Sequence, residues 1–114
     1  MGCQRFSKTH RILKRPEYLA VKRSGRTEKS RHFLLNWQAN GLAESRLGIV
    51  ATKRVANAVG RNYLKRRIRE IFRTNRERLP QGRDLVVIAR QGAANMAFPQ
   101  MEREILGLMH KSDG

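Results

Sequence analysis

The run GRNYLKRRIREIF, residues 60–72, restricts this chain more than any other part of it. Leu64, Ile68, Ile71 and Phe72 recur at i, i+4, i+7 and i+8, which predicts a helix with one apolar stripe turned to a core. Wound at about 100° per residue, Arg61, Asn62, Lys65, Arg66, Arg69, Arg73 and Arg76 fall within an arc of roughly 140° beside that stripe. The same wheel turns Glu70 and Glu77 away from the arc. A solvated, self-paired face would interleave the two signs along the helix. The expectation is instead a single cationic strip, whose guanidinium groups suit bidentate contact with phosphate oxygens. Asn62 adds an amide able to meet a sugar hydroxyl, a base edge or a hydrated metal. The helix should start near residues 57–59, where free backbone N–H groups could hold a further phosphate.

The whole chain shares the imbalance. Lys plus Arg number 25 against 9 Asp plus Glu, a formal net charge of +16 with a pI near 11.6. Self-repulsion at that charge weakens a compact state, and solubility alone asks for a net charge of only about 2–8 in a small domain. Nucleic acid is the partner class that offsets the repulsion. At 114 residues the chain is predicted to be one domain over 1–114 with a single modest core. It contains no apolar run of transmembrane length and no signal-peptide segment, so no membrane partner is expected. Cys3 is the lone cysteine, which leaves no internal disulfide and fits a reducing, cytoplasmic setting.

Residues 1–15 are basic and weakly patterned and read as a flexible arm. Pro16 suits the first turn of a short helix that continues through Tyr18, Leu19, Ala20 and Val21 to a stop at Gly25. Residues 31–38, with Phe33, Leu34, Leu35 and Trp37, read as a strand. Asn40-Gly41 opens a loop to a second strand at 47–52, and the two strands are expected to form a hairpin. Residues 84–90, centred on LVVIA, make a third strand apolar enough to be buried on both faces. Met101, Ile105, Leu108 and Met109 recur at helical spacing after Pro99 and predict an amphipathic helix. The order α-β-β-α-β-α describes an α+β fold, a single-domain α/β sandwich of one sheet with helices packed on it.

The residues assemble no catalytic centre. His10, His32 and His110 are scattered, and none has Cys or carboxylate neighbours at a metal-ligand spacing. The acids are dispersed, with no cluster of the kind that two-metal phosphodiester cleavage requires. Gly48 and Gly60 make no phosphate-cradling loop. No catalytic and no metal-binding residue is therefore assigned, and a protein-only nuclease is not expected.

Residues 46–72, RLGIVATKRVANAVGRNYLKRRIREIF, closely resemble the protein subunit of bacterial ribonuclease P. That family shows a strand of R-x-G-x-x-x-x-K-[KR] type, an N-A-V linker and a helix opening R-N-R-x-K-R-x-x-R-E. Asn57, Ala58 and Val59 supply the linker, and Arg61, Asn62, Lys65, Arg66, Arg69 and Glu70 fall on the helix pattern. Tyr63 stands where the family has its second signature arginine. The resemblance extends to the first helix, the F-L-L strand, the D-L-V-V-I-A-R strand and the tail helix. It implies that the partners are a catalytic RNA subunit and the precursor tRNA, with Mg2+ held largely by the RNA, which does the chemistry. The protein would bind that RNA and the 5′ leader of precursor tRNA and so assist removal of the leader, as a monomer apart from RNA.

Carried over, the RNA-binding residues are Lys53, Arg54, Asn57, Arg61, Asn62, Lys65, Arg66, Arg69 and Arg73. The leader cleft would hold Tyr18, Lys22, Phe33, Leu34 and Asn36, with Lys22 and Asn36 where the family often has rings. The resemblance also implies that strands 47–52 and 85–89 are parallel, joined through the basic helix in a left-handed βαβ crossover, against the usual right-handed preference. The alternative reading is a ribosomal or other structural-RNA-binding protein with no role in cleavage. A helix-turn-helix DNA binder needs a helix just before the recognition helix, where a strand is predicted. A membrane-active helix needs a wider apolar face.

Overall fold

The structure is a computed structural model and describes residues 20, 21, 23, 25–41, 45–75, 77 and 82–113. The strands are β1 (Arg26–Lys29), β2 (Phe33–Ala39), β3 (Arg46–Val50) and β4 (Arg83–Ala89). The helices are α1 (Ala58–Thr74) and α2 (Phe98–Asp113), the latter preceded by a 3-10 turn at Ala93–Asn95. Ala20, Val21 and Arg23 are helical. The arm at 1–15 and the start of the first predicted helix, with Pro16 and Tyr18, lie outside the described residues.

Leu85, Val86 and Val87 are buried in succession, so β4 needs cover on both faces and takes a central position. The four-stranded order is β1-β2-β4-β3. β2 runs antiparallel to β4, from Phe33 opposite Ala89 to Ala39 opposite Arg83. β3 runs parallel to β4, from Arg46 opposite Asp84 to Val50 opposite Ile88, as the family resemblance implies. The hairpin expected between the 31–38 and 47–52 strands is therefore corrected: β4 lies between them. Pairing β2 with β3 would push the most apolar strand to an edge and leave its backbone groups unmatched. Insertion of β4 uses the N–H and C=O groups of all three.

The hairpin that does form joins β1 to β2, with Arg26 opposite Trp37 and Lys29 opposite Leu34. β1 reads RTEK and has no apolar residue, so a search for apolar alternation has nothing to find. Such charge suits an edge strand, where it opposes further strand addition. Thr27 Oγ1 donates to Asn36 Oδ1 across the pair at 2.7 Å. The fold thus has one strand more than the expected order α-β-β-α-β-α, within the same α+β class. Gly25 permits the transition into β1. A Cβ there would stand 2.5 Å from Val21 O and 2.6 Å from Trp37 O, so the helical stretch and β2 approach backbone to backbone.

The core lies between one sheet face and the two helices. Phe33, Leu35, Leu47, Leu85 and Val87 meet Leu64, Ile68, Ile71 and Phe72 of α1 and Met101, Ile105, Leu108 and Met109 of α2. Every residue of the predicted α1 stripe is buried. Asn75 joins the helices: its Nδ2 donates to Ile71 O at 2.9 Å and to Glu102 Oε2 at 3.1 Å. Glu104 ties α2 to the β1–β2 turn, accepting from His32 N at 2.7 Å and from Ser30 Oγ, with His32 Nδ1 at 2.9 Å. On the other sheet face Val21 and Val86 are buried, with Val50 and Ile88 packed against them and only partly covered.

Candidate nucleic-acid interface

The basic helix begins at a capped end. Asn57 is the N-cap of α1, and its Oδ1 accepts from Gly60 N at 2.9 Å. Lys53 and Arg54 are exposed in the turn that leads into it. That turn is closed by Val55 N donating to Thr52 O at 3.0 Å. Along α1, Asn62 and Arg66 are exposed, and Arg61, Lys65 and Arg69 are half-buried beside the apolar stripe. Burying the stripe against the sheet therefore places these predicted cations on one flank of the molecule.

The cations are not equally available. Lys53, Lys65, Arg66 and Arg69 have no acidic partner among the described residues. Arg61 Nη1 donates to Ala56 O at 3.0 Å, which orients its guanidinium over the approach to the helix. Arg73 is paired: its Nη2 meets Glu70 Oε2 at 2.6 Å and its Nε meets Oε1 at 3.2 Å. This corrects the expectation that Glu70 points away from the arc. Residues three apart on a helix are neighbours, and two long side chains span the remaining angle. Arg67, outside the expected arc, lies 5.4 Å from the ring centroids of both Tyr63 and Phe98, on the flank that faces α2. Arg76 lies outside the described residues.

The expected leader cleft is only partly assembled by the sheet. Leu34 and Asn36 share the face that carries Val86, Ile88 and Val50, since side chains alternate along a strand and paired residues face the same way. Phe33 does not belong there. It is fully buried in the core against the helices, which corrects its assignment to the cleft. The period-2 rule already placed Phe33 and Leu34 on opposite faces, a signal that the sequence assignment did not apply. Asn36 is buried and held by Thr27. Tyr18 and Lys22 lie outside the described residues.

Sequence reading also missed an ion pair at one end of this face. Arg46 Nε and Nη2 each donate at 2.8 Å to the two oxygens of Asp84, and Asn40 Nδ2 adds a bond to Oδ1 at 2.9 Å. Arg46 of the family strand motif is thereby a structural clamp between β3 and β4. The described residues contain no group of three or more His, Cys, Asp or Glu that could hold a metal ion. They also contain no helix long and apolar enough to cross a membrane.

Comparison with known proteins places this geometry in a family. The ribonuclease P family model matches residues 6–113. The chain is 45% identical over 114 residues to the ribonuclease P protein component of Syntrophobacter fumaroxidans, covering 99% of this chain and 96% of that protein. Its fold superposes on the RNase P protein of Staphylococcus aureus with a TM-score of 0.84 at 31% identity, covering 92% of this chain and 96% of the other. For the RNase P protein of Thermotoga maritima the TM-score is 0.83 at 33% identity, covering 88% and 96%.

Proposed function

The chain belongs to the ribonuclease P protein family, the protein component of a tRNA-processing endoribonuclease, and from that membership we propose that α1 docks the catalytic RNA while the sheet face opposite the core receives the 5′ leader of precursor tRNA. The observation that carries this reading is the flank of Lys53, Lys65, Arg66 and Arg69, cations without acidic partners among the described residues, beside a fully buried stripe. Clustered cations in a protein of net charge +16 repel one another until a polyanion reaches them. Phosphate contacts from such a strip give orientation and salt-dependent affinity, and no base sequence is read by them. Leu34, Val50 and Ile88 are only partly covered and give the opposite face an apolar surface against which unpaired nucleotides can lie.

The chemistry of hydrolysis belongs to the RNA in this reading, and the bound Mg2+ belongs there as well. Among the described residues no group of three or more His, Cys, Asp or Glu offers a donor set for it. The protein's part is to bind and position a precursor in the cytoplasm, as a monomer apart from RNA. The test combines the protein with a bacterial ribonuclease P RNA and precursor tRNA at low Mg2+. The complex should release the leader faster than the RNA alone and bind precursor more tightly than mature tRNA, and the protein alone should cut nothing. RNA binding without any gain in cleavage would favour a structural-RNA binder instead.

A further inference from the structure

Beside the cationic strip, α1 borders a second cleft that phosphate binding leaves unused. It has a volume of about 490 Å³ and lies between the first turns of α1 and the 3-10 turn, lined by Asn57, Val59, Gly60, Tyr63, Ala94 and Asn95 among others. That volume falls in the ordinary range of ligand pockets, ~300–1,000 Å³. Gly60, a poor helix residue, lines it and lets the turn before α1 pack close against the helix. A Cβ on Gly60 would stand 2.8 Å from Ala56 Cβ and 3.6 Å from Ala94 Cβ. Its aromatic residue is braced by Arg67, which lies over the rings of both Tyr63 and Phe98. At its mouth Val59 is 78% exposed.

We propose that this cleft takes one unstacked nucleobase of the RNA partner, with Tyr63 as the stacking surface and the amides of Asn57 and Asn95 meeting the base edge. This rests on the reading of the chain as an RNA binder. The chemistry of the rim selects the occupant. Arg66 is the helical neighbour of Tyr63 and Asn62 that of Val59, and Lys53 and Arg54 lie in the turn just before the cleft. Among the described residues no carboxylate lines the cleft. A chain whose phosphates lie along these cations can turn a base into the adjacent apolar space, the arrangement that single-stranded nucleic-acid sites use. Asn57 Oδ1 is engaged by Gly60 N, which leaves its N–H2 as a donor, and the exposed Asn95 amide offers both a donor and an acceptor. Tyr63 is the position where this sequence departs from the R-N-R signature. The substitution exchanges a charge for a stacking face.

The experiment measures binding to a transcribed ribonuclease P RNA across a salt series. Tyr63→Leu should lower affinity roughly 5- to 150-fold, the size of one base–aromatic stack, with an unchanged log K against log salt slope. Tyr63→Phe should bind as the parent does. A p-benzoylphenylalanine in place of Val59 should cross-link to an unpaired nucleotide of that RNA. Equal affinity for Tyr63→Leu, a flattened salt slope, or Tyr63→Phe as weak as Tyr63→Leu would overturn the proposal, as would cross-links confined to paired segments or found on a protein instead. Should Tyr63→Leu lose its fold, the cross-link alone decides. A parent protein that fails to bind the RNA would sink the RNA-binding reading itself, whereas a parent that binds and a Tyr63→Leu that binds equally would remove only the base site.

Discussion

Arg66→Ala isolates the electrostatic part of RNA binding. Arg66 is exposed on α1, has no acidic partner among the described residues and lies outside the Leu64–Ile68–Phe72 stripe, so its loss leaves the core intact. Each phosphate contact removed should flatten the log K against log salt slope by about 0.7–0.9. Relative to 1 M salt, where counterion release no longer drives binding, that slope corresponds to about five- to eightfold in affinity at 0.1 M. Arg73→Ala should lose less, because Glu70 already holds that guanidinium at 2.6 Å. Glu70→Gln supplies the converse, since it removes the negative charge that offsets Arg73 and should raise affinity while steepening the slope. Filter binding or fluorescence anisotropy against a ribonuclease P RNA, at several salt concentrations, reads all three. An unchanged slope for Arg66→Ala, or a lowered melting temperature, would refute the assignment of a phosphate contact to this side chain.

Three further outcomes concern the scaffold. Burial acts to raise the Glu104 carboxyl, but the hydrogen bonds from Ser30 and His32 and the His32 charge outweigh it and hold the group below its ordinary value; a depressed carboxylate stabilises the fold above the unfolded-state value, so stability should fall as pH drops through the folded-state value, and Glu104→Gln should flatten that acid limb and cost about 1.5–3 kcal/mol at neutral pH in urea unfolding. Gly25→Ala would press a methyl against the backbone oxygens of Val21 and Trp37 and should destabilise by about 1–3 kcal/mol or more; an unchanged melting temperature would contradict the close approach. Asp84→Ala leaves Arg46 without the carboxylate that two of its N–H groups address and should cost about 3–5 kcal/mol in denaturant unfolding, a loss that a surface ion pair could not produce.

The properties legible in the sequence are those decided within one element. The stripe of Leu64, Ile68, Ile71 and Phe72 is buried as its period requires, because a helix sets which residues share a face by its own geometry. The same rule located the cations of α1 and the core face of α2, while the start expected near residues 57–59 matches the cap at Asn57. The continuous apolar run 85–89 announced a strand covered on both faces. The family motifs were legible for the same reason, since they are short stretches read at fixed spacing.

Tertiary structure decided everything that depends on which segment meets which. Sequence order suggested that β2 would pair with β3, yet β4 lies between them, because only a whole-sheet comparison of edge against centre favours that arrangement. β1 has no apolar period to detect and exists because β2 offers it an unpaired edge. Phe33 went to the core and Leu34 to the opposite face through a pleat that a list of nearby apolar residues does not register. The cleft at Tyr63 needs the 3-10 turn brought against the first turn of α1, two segments more than thirty residues apart in the chain. Which cations are engaged within the protein was settled by reach between side chains, as with Glu70 to Arg73, Asp84 to Arg46 and two rings to Arg67. Local periodicity is fixed by backbone geometry residue by residue, whereas pairing, occlusion and charge matching are properties of surfaces that exist only once the chain has closed on itself.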